Sequence, residues 1–160
     1  MRIVMRDQFE RHLEDFHVGD VIEHWPGRTI TEYANEAFCL ATMNHQPLHL
    51  DAEYARASSY GRILVNGMLV FSVAVGLSVA GMSGKIVANL GYDKVVHRAP
   101  VFLGDTIYAE SEVQTVRPSQ SRPETGIVGV ETRVRNQRSE VVLTFQRTFL
   151  AFRKGAGPNT

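Results

Sequence analysis

Hydrophobic and polar positions fall along this chain in two textures, and the change comes at Lys85. From 63 to 84 the run ILVNGMLVFSVAVGLSVAGMSG carries no charged residue between Arg62 and Lys85. It is long enough to raise a membrane span. Asn66-Gly67 near its start, Ser72, Ser78 and Ser83, and glycines at 76, 81 and 84 break it up. A helix from near Asn66 to near Gly81 has about 16 residues, short for a bilayer. A helix apolar on all sides also suits the buried centre of a globular fold. That reading is preferred, because the segments beyond Lys85 would cover such a helix. KIVANLGYDKVVHRAPVFLG, DTIYAESEVQTV, GIVGVETRVRNQ and EVVLTFQRTFLAF alternate with period two and are rich in β-branched and aromatic residues. In the second of these, Ile107, Ala109 and Val113 alternate imperfectly with Glu110, Glu112 and Gln114. NQRS at 136–139 reads as a turn. The pattern predicts about five or six mostly antiparallel strands, able to wrap around one long helix.

Ahead of the apolar run the texture is mixed. Residues 16–30 read as an edge strand broken by Pro26-Gly27. Thr29 or Thr31 can cap a helix to about Met43, with Glu32 in its first turn. Tyr33, Ala37/Phe38 and Leu40/Ala41 make its apolar stripe. Pro47 stops that helix, and Asp51 can cap a short one through about Ala57. The expectation is one domain over 1–154 with a flexible tail at 155–160.

Composition narrows the class. A chain of 160 residues with 44% hydrophobic and 21% charged residues suits one ordered domain. Lys+Arg and Asp+Glu are both 17, which argues against a nucleic-acid partner. The stretch from Arg117 onward holds eight basic residues against three acidic ones, so the first 116 residues are net acidic. A local basic region suits a small anionic ligand; solvated strand faces carrying Arg are the alternative. A single cysteine, Cys39, excludes an internal disulfide and a Cys-based zinc site. The first sixteen residues lack an apolar core, so no secretory signal is read, and a reducing, cytoplasmic location is expected.

The densest polar cluster is Asn44-His45-Gln46-Pro47-Leu48-His49-Leu50-Asp51. His49 can act as an acid or base near neutral pH, or serve the structure alone. His45, His49 and Asp51 imitate a metal set, but Pro47 keeps the two imidazoles off one helix face, and no metal is expected. Cys39 reads as a buried, inert thiol. No GxSxG, GxGxxG or P-loop occurs. Val65-Asn66-Gly67-Met68 opens the apolar helix. Its free N–H groups and the bare Gly67 backbone could polarise a carbonyl; the alternative is that the glycine serves only packing.

Together these features resemble the MaoC-like family of the hot-dog superfamily, the (R)-specific enoyl-CoA hydratases and dehydratases. That family carries Asp-x-Asn-Pro-x-His and then a helix opening with His-Gly-Met. Here the matching residues are Asn44-His45-Gln46-Pro47-Leu48-His49 and Asn66-Gly67-Met68, with Pro100-Val101 and Gly104-Asp105-Thr106 further on. GRTIT at 27–31, TMNHQPLHLD at 42–51, NLGYDKV at 89–95, SRPETGIV at 121–128 and NQRSEVV at 136–142 are similar to the branch acting on branched C5 dicarboxylic acyl-CoAs. That branch comprises the mesaconyl-CoA, β-methylmalyl-CoA and itaconyl-CoA hydratases.

The resemblance implies an α+β hot-dog fold, a homodimer or larger assembly of dimers, and reversible addition of water to a short enoyl-CoA. Coenzyme A would be part of the substrate, with no other cofactor. His49 would move protons, Asn44 would orient water and Gly67 N–H would hold the thioester oxygen. Gln46, Pro47, Asn66 and Met68 would contact substrate, and Arg117 and Arg122 would meet CoA phosphates or a substrate carboxylate. Three positions depart from the family: Asn44 stands for its Asp, Gln46 for its Asn and Asn66 for its His. Asn44 cannot act as a base, though it can hold water. Either His49 makes both proton transfers or an unidentified carboxylate takes the second. The rivals are a hot-dog acyl-CoA thioesterase, for which Asp51 is the available carboxylate, and a non-catalytic acyl-CoA-binding domain.

Overall fold

A computed structural model describes residues 1–5 and 11–158. Its elements, in chain order, are β1 (Arg2–Met5), β2 (Val21–Thr29), α1 (Glu32–Ala41), α2 (Pro47–Leu50), α3 (Ala52–Ala57), α4 (Gly67–Ser78), β3 (Ile86–His97), β4 (Thr106–Pro118), β5 (Thr125–Asn136) and β6 (Val141–Phe152). The uncharged run is α4 plus a π turn over Val79–Ser83. At 1.5 Å per residue α4 is about 18 Å long, and no helix among the described residues is long and apolar enough to cross a membrane. The strands form one six-stranded sheet, ordered β1-β2-β4-β5-β6-β3, antiparallel except for the β1/β2 pair. This is the expected curved sheet on one central helix. The tail at 155–160 falls partly outside the described residues.

Two local expectations are corrected. The segment read as a broken edge strand is one strand, β2, lying between β1 and β4. Proline has no N–H to give the ladder, and the pairing with β4 shifts register between His24 and Arg28 to accommodate it. Pro47 does not end the first helix, which stops at Ala41; it starts α2, where its missing N–H costs nothing.

The sheet's inner face carries two apolar clusters. Val70 and Ala74 of α4 pack with Ile107, Val134, Leu143 and Phe145 in one. Phe16, Ile22, Val128 and Phe149 form the other near the π turn. Polar groups lie on the same face. His24 Nε2 meets Ser111 Oγ at 2.8 Å, and Ser111 Oγ meets Thr132 Oγ1 at 2.8 Å. Arg147, buried on β6, donates from Nε to Asn89 Oδ1 at 2.8 Å and from Nη1 to Ser78 Oγ at 3.0 Å. A cation at the C-terminal end of α4 complements the helix dipole.

Burial holds His24 well below the ordinary 6.5, at about 4, and the nearby Arg147 and Arg11 charges push the same way. The folded protein therefore refuses a proton that the unfolded chain accepts as pH falls below 6.5. At about 1.4 kcal/mol per unit, roughly 3 kcal/mol of stability is lost between pH 6.5 and 4. In urea unfolding at pH 7 and pH 4, His24→Gln should lose most of that difference. An unchanged difference would contradict the assignment.

Candidate functional site

The Asn44–Asp51 segment folds as a chain of small caps. Asn44 Oδ1 accepts from Gln46 N at 3.2 Å, and Gln46 Oε1 accepts from Leu48 N at 2.6 Å, starting α2. Asp51 then caps α3, with its Oδ1 accepting from Glu53 N and Tyr54 N at 2.9 and 3.0 Å. The single turn of α2 carries the half-buried His49. His49 Nδ1 lies 2.8 Å from the carbonyl oxygen of Leu64. A carbonyl only accepts, so Nδ1 carries the hydrogen. In the neutral ring the Nε2 lone pair is then free.

The start of α4 is tied to the same segment. Asn66 is the N-cap, and its Oδ1 accepts from Met68 N at 2.9 Å. Gly67 is the first helical residue, and its N–H has no partner among the described residues. Asn35 of α1 links the two pieces: its Nδ2 donates to His49 O at 2.9 Å, and its Oδ1 accepts from Asn66 N at 2.9 Å. Asn35 is fully buried. The apolar stripe read for this helix is corrected here: Phe38 does pack on the core, but Tyr33, Ala37, Leu40 and Ala41 are exposed, and the inward face runs through Asn35, Phe38 and Cys39. Cys39 is buried as expected, and its sulfur accepts from Asn66 Nδ2 at 3.6 Å.

These residues open onto a cavity of about 530 Å³ lined by Asn44, His49, Asn66, Gly67 and Met68. Five of the nine residues picked from sequence thus meet in one place. Gln46 and Pro47 build the turn and do not line the cavity. Arg117 and Arg122 do not line it either; they are exposed near the β4–β5 connection. Sequence reasoning missed His97, Arg98 and Tyr60, which also line the cavity. The first two directly precede the Ala99-Pro100-Val101 stretch and were legible only as strand. A Cβ on Gly67 would stand 2.7 Å from His97 Cε1, so any side chain at this position would have to displace that ring. Arg98 donates from Nε to Thr144 Oγ1 at 3.2 Å and has no carboxylate partner among the described residues. Among the described lining residues none is a carboxylate, and no cluster of three potential metal ligands occurs among the described residues.

Asn35→Ala would orphan a buried N–H and loosen a carbonyl, an expected cost of about 2–4 kcal/mol. Denaturant unfolding measures that loss. A variant as stable as the parent would show that the bridge does not hold the site.

The arrangement pairs an imidazole base with an unoccupied N–H donor across an apolar-walled cavity, which suits a polarised carbonyl compound. Residues 15–136 match the family model described as MaoC like domain. The mesaconyl-CoA hydratase of Cereibacter sphaeroides is 33% identical over 143 residues, 89% of this chain and 41% of that protein. The (R)-specific enoyl-CoA hydratase of Aeromonas caviae is 33% identical over 108 residues, 68% of this chain and 76% of that protein. A Mycobacterium tuberculosis protein described as having a double hot-dog fold superposes with a TM-score of 0.83 at 25% identity, covering 95% of this chain and 47% of that one. This chain spans less than half the length of the mesaconyl-CoA hydratase it matches. The motifs, the sheet wrapped on one helix and the family match agree: the chain belongs to the MaoC-like family, with a hot-dog fold.

Proposed function

We propose that the chain is an acyl-CoA hydratase or dehydratase, adding water reversibly to the α,β double bond of a short enoyl-CoA. The observation that carries this reading is the pairing of the His49 imidazole with the free Gly67 N–H in one cavity. His49 Nε2 takes a proton from water as its oxygen attacks the β-carbon. Charge moves to the thioester oxygen, where the Gly67 N–H and the positive end of α4 receive it. One such donor is worth roughly 3–4 kcal/mol in comparable sites. Asn44 orients the water through its amide. Coenzyme A is part of the substrate, and the reading invokes no other cofactor.

The lining supports a hydratase over a thioesterase. Asp51, the carboxylate available to that rival, is exposed and engaged in capping α3. For a dicarboxylic C5 substrate, the guanidinium within reach of the cavity is Arg98 rather than Arg117 or Arg122. A panel of C4 monoacid and C5 diacid enoyl-CoAs, followed at the enoyl thioester absorbance, tests both points. The expected result is hydration without thiol release. His49→Ala should abolish it without unfolding the protein, and Arg98→Gln should raise KM for diacids more than for monoacids. Thiol release, or full turnover by His49→Ala, would overturn the hydratase reading. Equal effects of Arg98→Gln on both substrate classes would remove Arg98 as the carboxylate reader.

The working unit is a homodimer or an assembly of dimers. β3 is a sheet edge, and it exposes Leu90, Tyr92, Val95 and Val96 along its length. An unpaired apolar edge favours a second chain. Light scattering at micromolar concentration should give at least twice the 17.9 kDa chain mass, and Leu90→Lys with Val96→Lys should lower it. A wild-type monomer would overturn this.

A further inference from the structure

We propose that His97 is the second proton-transfer group of the site, the acid that protonates the substrate's α-carbon. The proposal rests on the hydratase reading. Addition of water takes a proton at oxygen and gives one at the α-carbon; one group can do both in turn, or two can divide the work. His49 Nε2 fills the first role. Asn44 does not titrate, and no described lining residue is a carboxylate. The lining holds two other groups that can release a proton near neutral conditions or above: His97 and Tyr60. As a functional group, a phenol is a far weaker acid than an imidazolium.

Geometry selects the same residue. His97 pairs with Leu143 in the β3/β6 register, and Leu143 is a core residue, so both lie on the helix-bearing side of the sheet. The ring lies over Gly67: Cε1, Nε2 and Nδ1 stand 2.7, 2.9 and 3.2 Å from the point a Cβ would occupy. A thioester oxygen held by the Gly67 N–H has its α-carbon about 2.4 Å away, two bonds on. A substrate held there is thus bound at the same residue against which the His97 ring packs. Neither ring nitrogen of His97 has a hydrogen-bond partner among the described residues, so neither is committed to another group of the protein. The other titratable or charged groups lining the cavity are His49 of α2, Tyr60, and Arg98 next in the chain, while the first turn of α4 and the facing Leu143 and Thr144 bring no charge.

The step balances. The water oxygen bonds to the β-carbon, its proton goes to His49 Nε2, and the π pair moves onto the α-carbon and thioester oxygen. The electron pair then collapses onto a proton from His97, which is left neutral. Exchange with solvent moves the proton from His49 back to His97 and closes the cycle.

The test is steady-state hydration of an active enoyl-CoA by His97→Phe and His97→Gln. Phenylalanine keeps the ring over Gly67 but carries no proton; glutamine keeps a hydrogen-bond donor but does not titrate. Both should lose at least about 100-fold in kcat, the usual contribution of a general acid, with KM changed only a few-fold. If His97→Phe turns over within about threefold of the parent, the ring only packs. If His97→Gln does so, the ring only hydrogen-bonds the substrate. Either outcome overturns the proposal while His49→Ala remains inactive. A fully active His49→Ala would instead overturn the hydratase reading beneath it.

Discussion

One buried amide holds the site together. Asn35 gives a hydrogen to the backbone carbonyl of His49 and takes one from the backbone N–H of Asn66. These two atoms belong to different pieces of chain: the short turn that carries the imidazole and the cap that opens the central helix. With both fixed to one side chain, the base and the Gly67 N–H keep a set separation. The Leu64 carbonyl adds a third tie, fixing the ring's tautomer as well as its position. Each tie satisfies a backbone or ring group that would otherwise be buried without a partner, so stability and site geometry depend on the same bonds.

The lopsided charge along the chain has a structural explanation. Many basic residues of the last third face acids from earlier segments. Arg133 meets Glu110, Glu112 and Glu131, Arg135 meets Glu110, and Arg138 meets Asp105. Arg153 and Lys154 reach Glu14 and Asp15. The Arg133 pairs follow from the register, which puts Glu110 opposite Arg133; Arg133 also bridges Glu112 and Glu131, which face each other two residues along. Such exposed or half-exposed pairs add little stability individually, but like charges facing each other without that bridge would be unfavourable. The basic excess therefore belongs largely to ion pairs within the fold, and only a minority of those residues remain free to meet an anion.

Periodicity carried most of the fold. A 22-residue uncharged run followed by four alternating segments left few ways to bury the helix, and the strands and the α3 cap fell close to where they were expected. What escaped was set by contacts distant in sequence. Asn35 sits where an apolar residue would ordinarily face inward, and its reason for being there is two backbone groups 14 and 31 residues away. The break at Pro26-Gly27 looked like an end, because only the partner strand β4 reveals that a register shift carries β2 past it. The motif residues were legible as a cluster, yet the sequence could not tell which of them line a cavity and which cap a turn. Gln46 and Asp51 are the clearest cases: both are polar and close to His49 in the chain, and both face backbone N–H groups.

The replacement of a carboxylate by Asn44 changes the electrostatics of the whole cavity. A carboxylate there would hold a neighbouring imidazole protonated and would repel a substrate carrying its own carboxylate. With an amide in its place, the described lining is neutral apart from Arg98 and whatever charge the two imidazoles carry. His49 is tied through Nδ1–H to a neutral carbonyl rather than to an acid. The amide at position 44 thus adds no negative charge to a cavity whose described lining includes the Arg98 guanidinium.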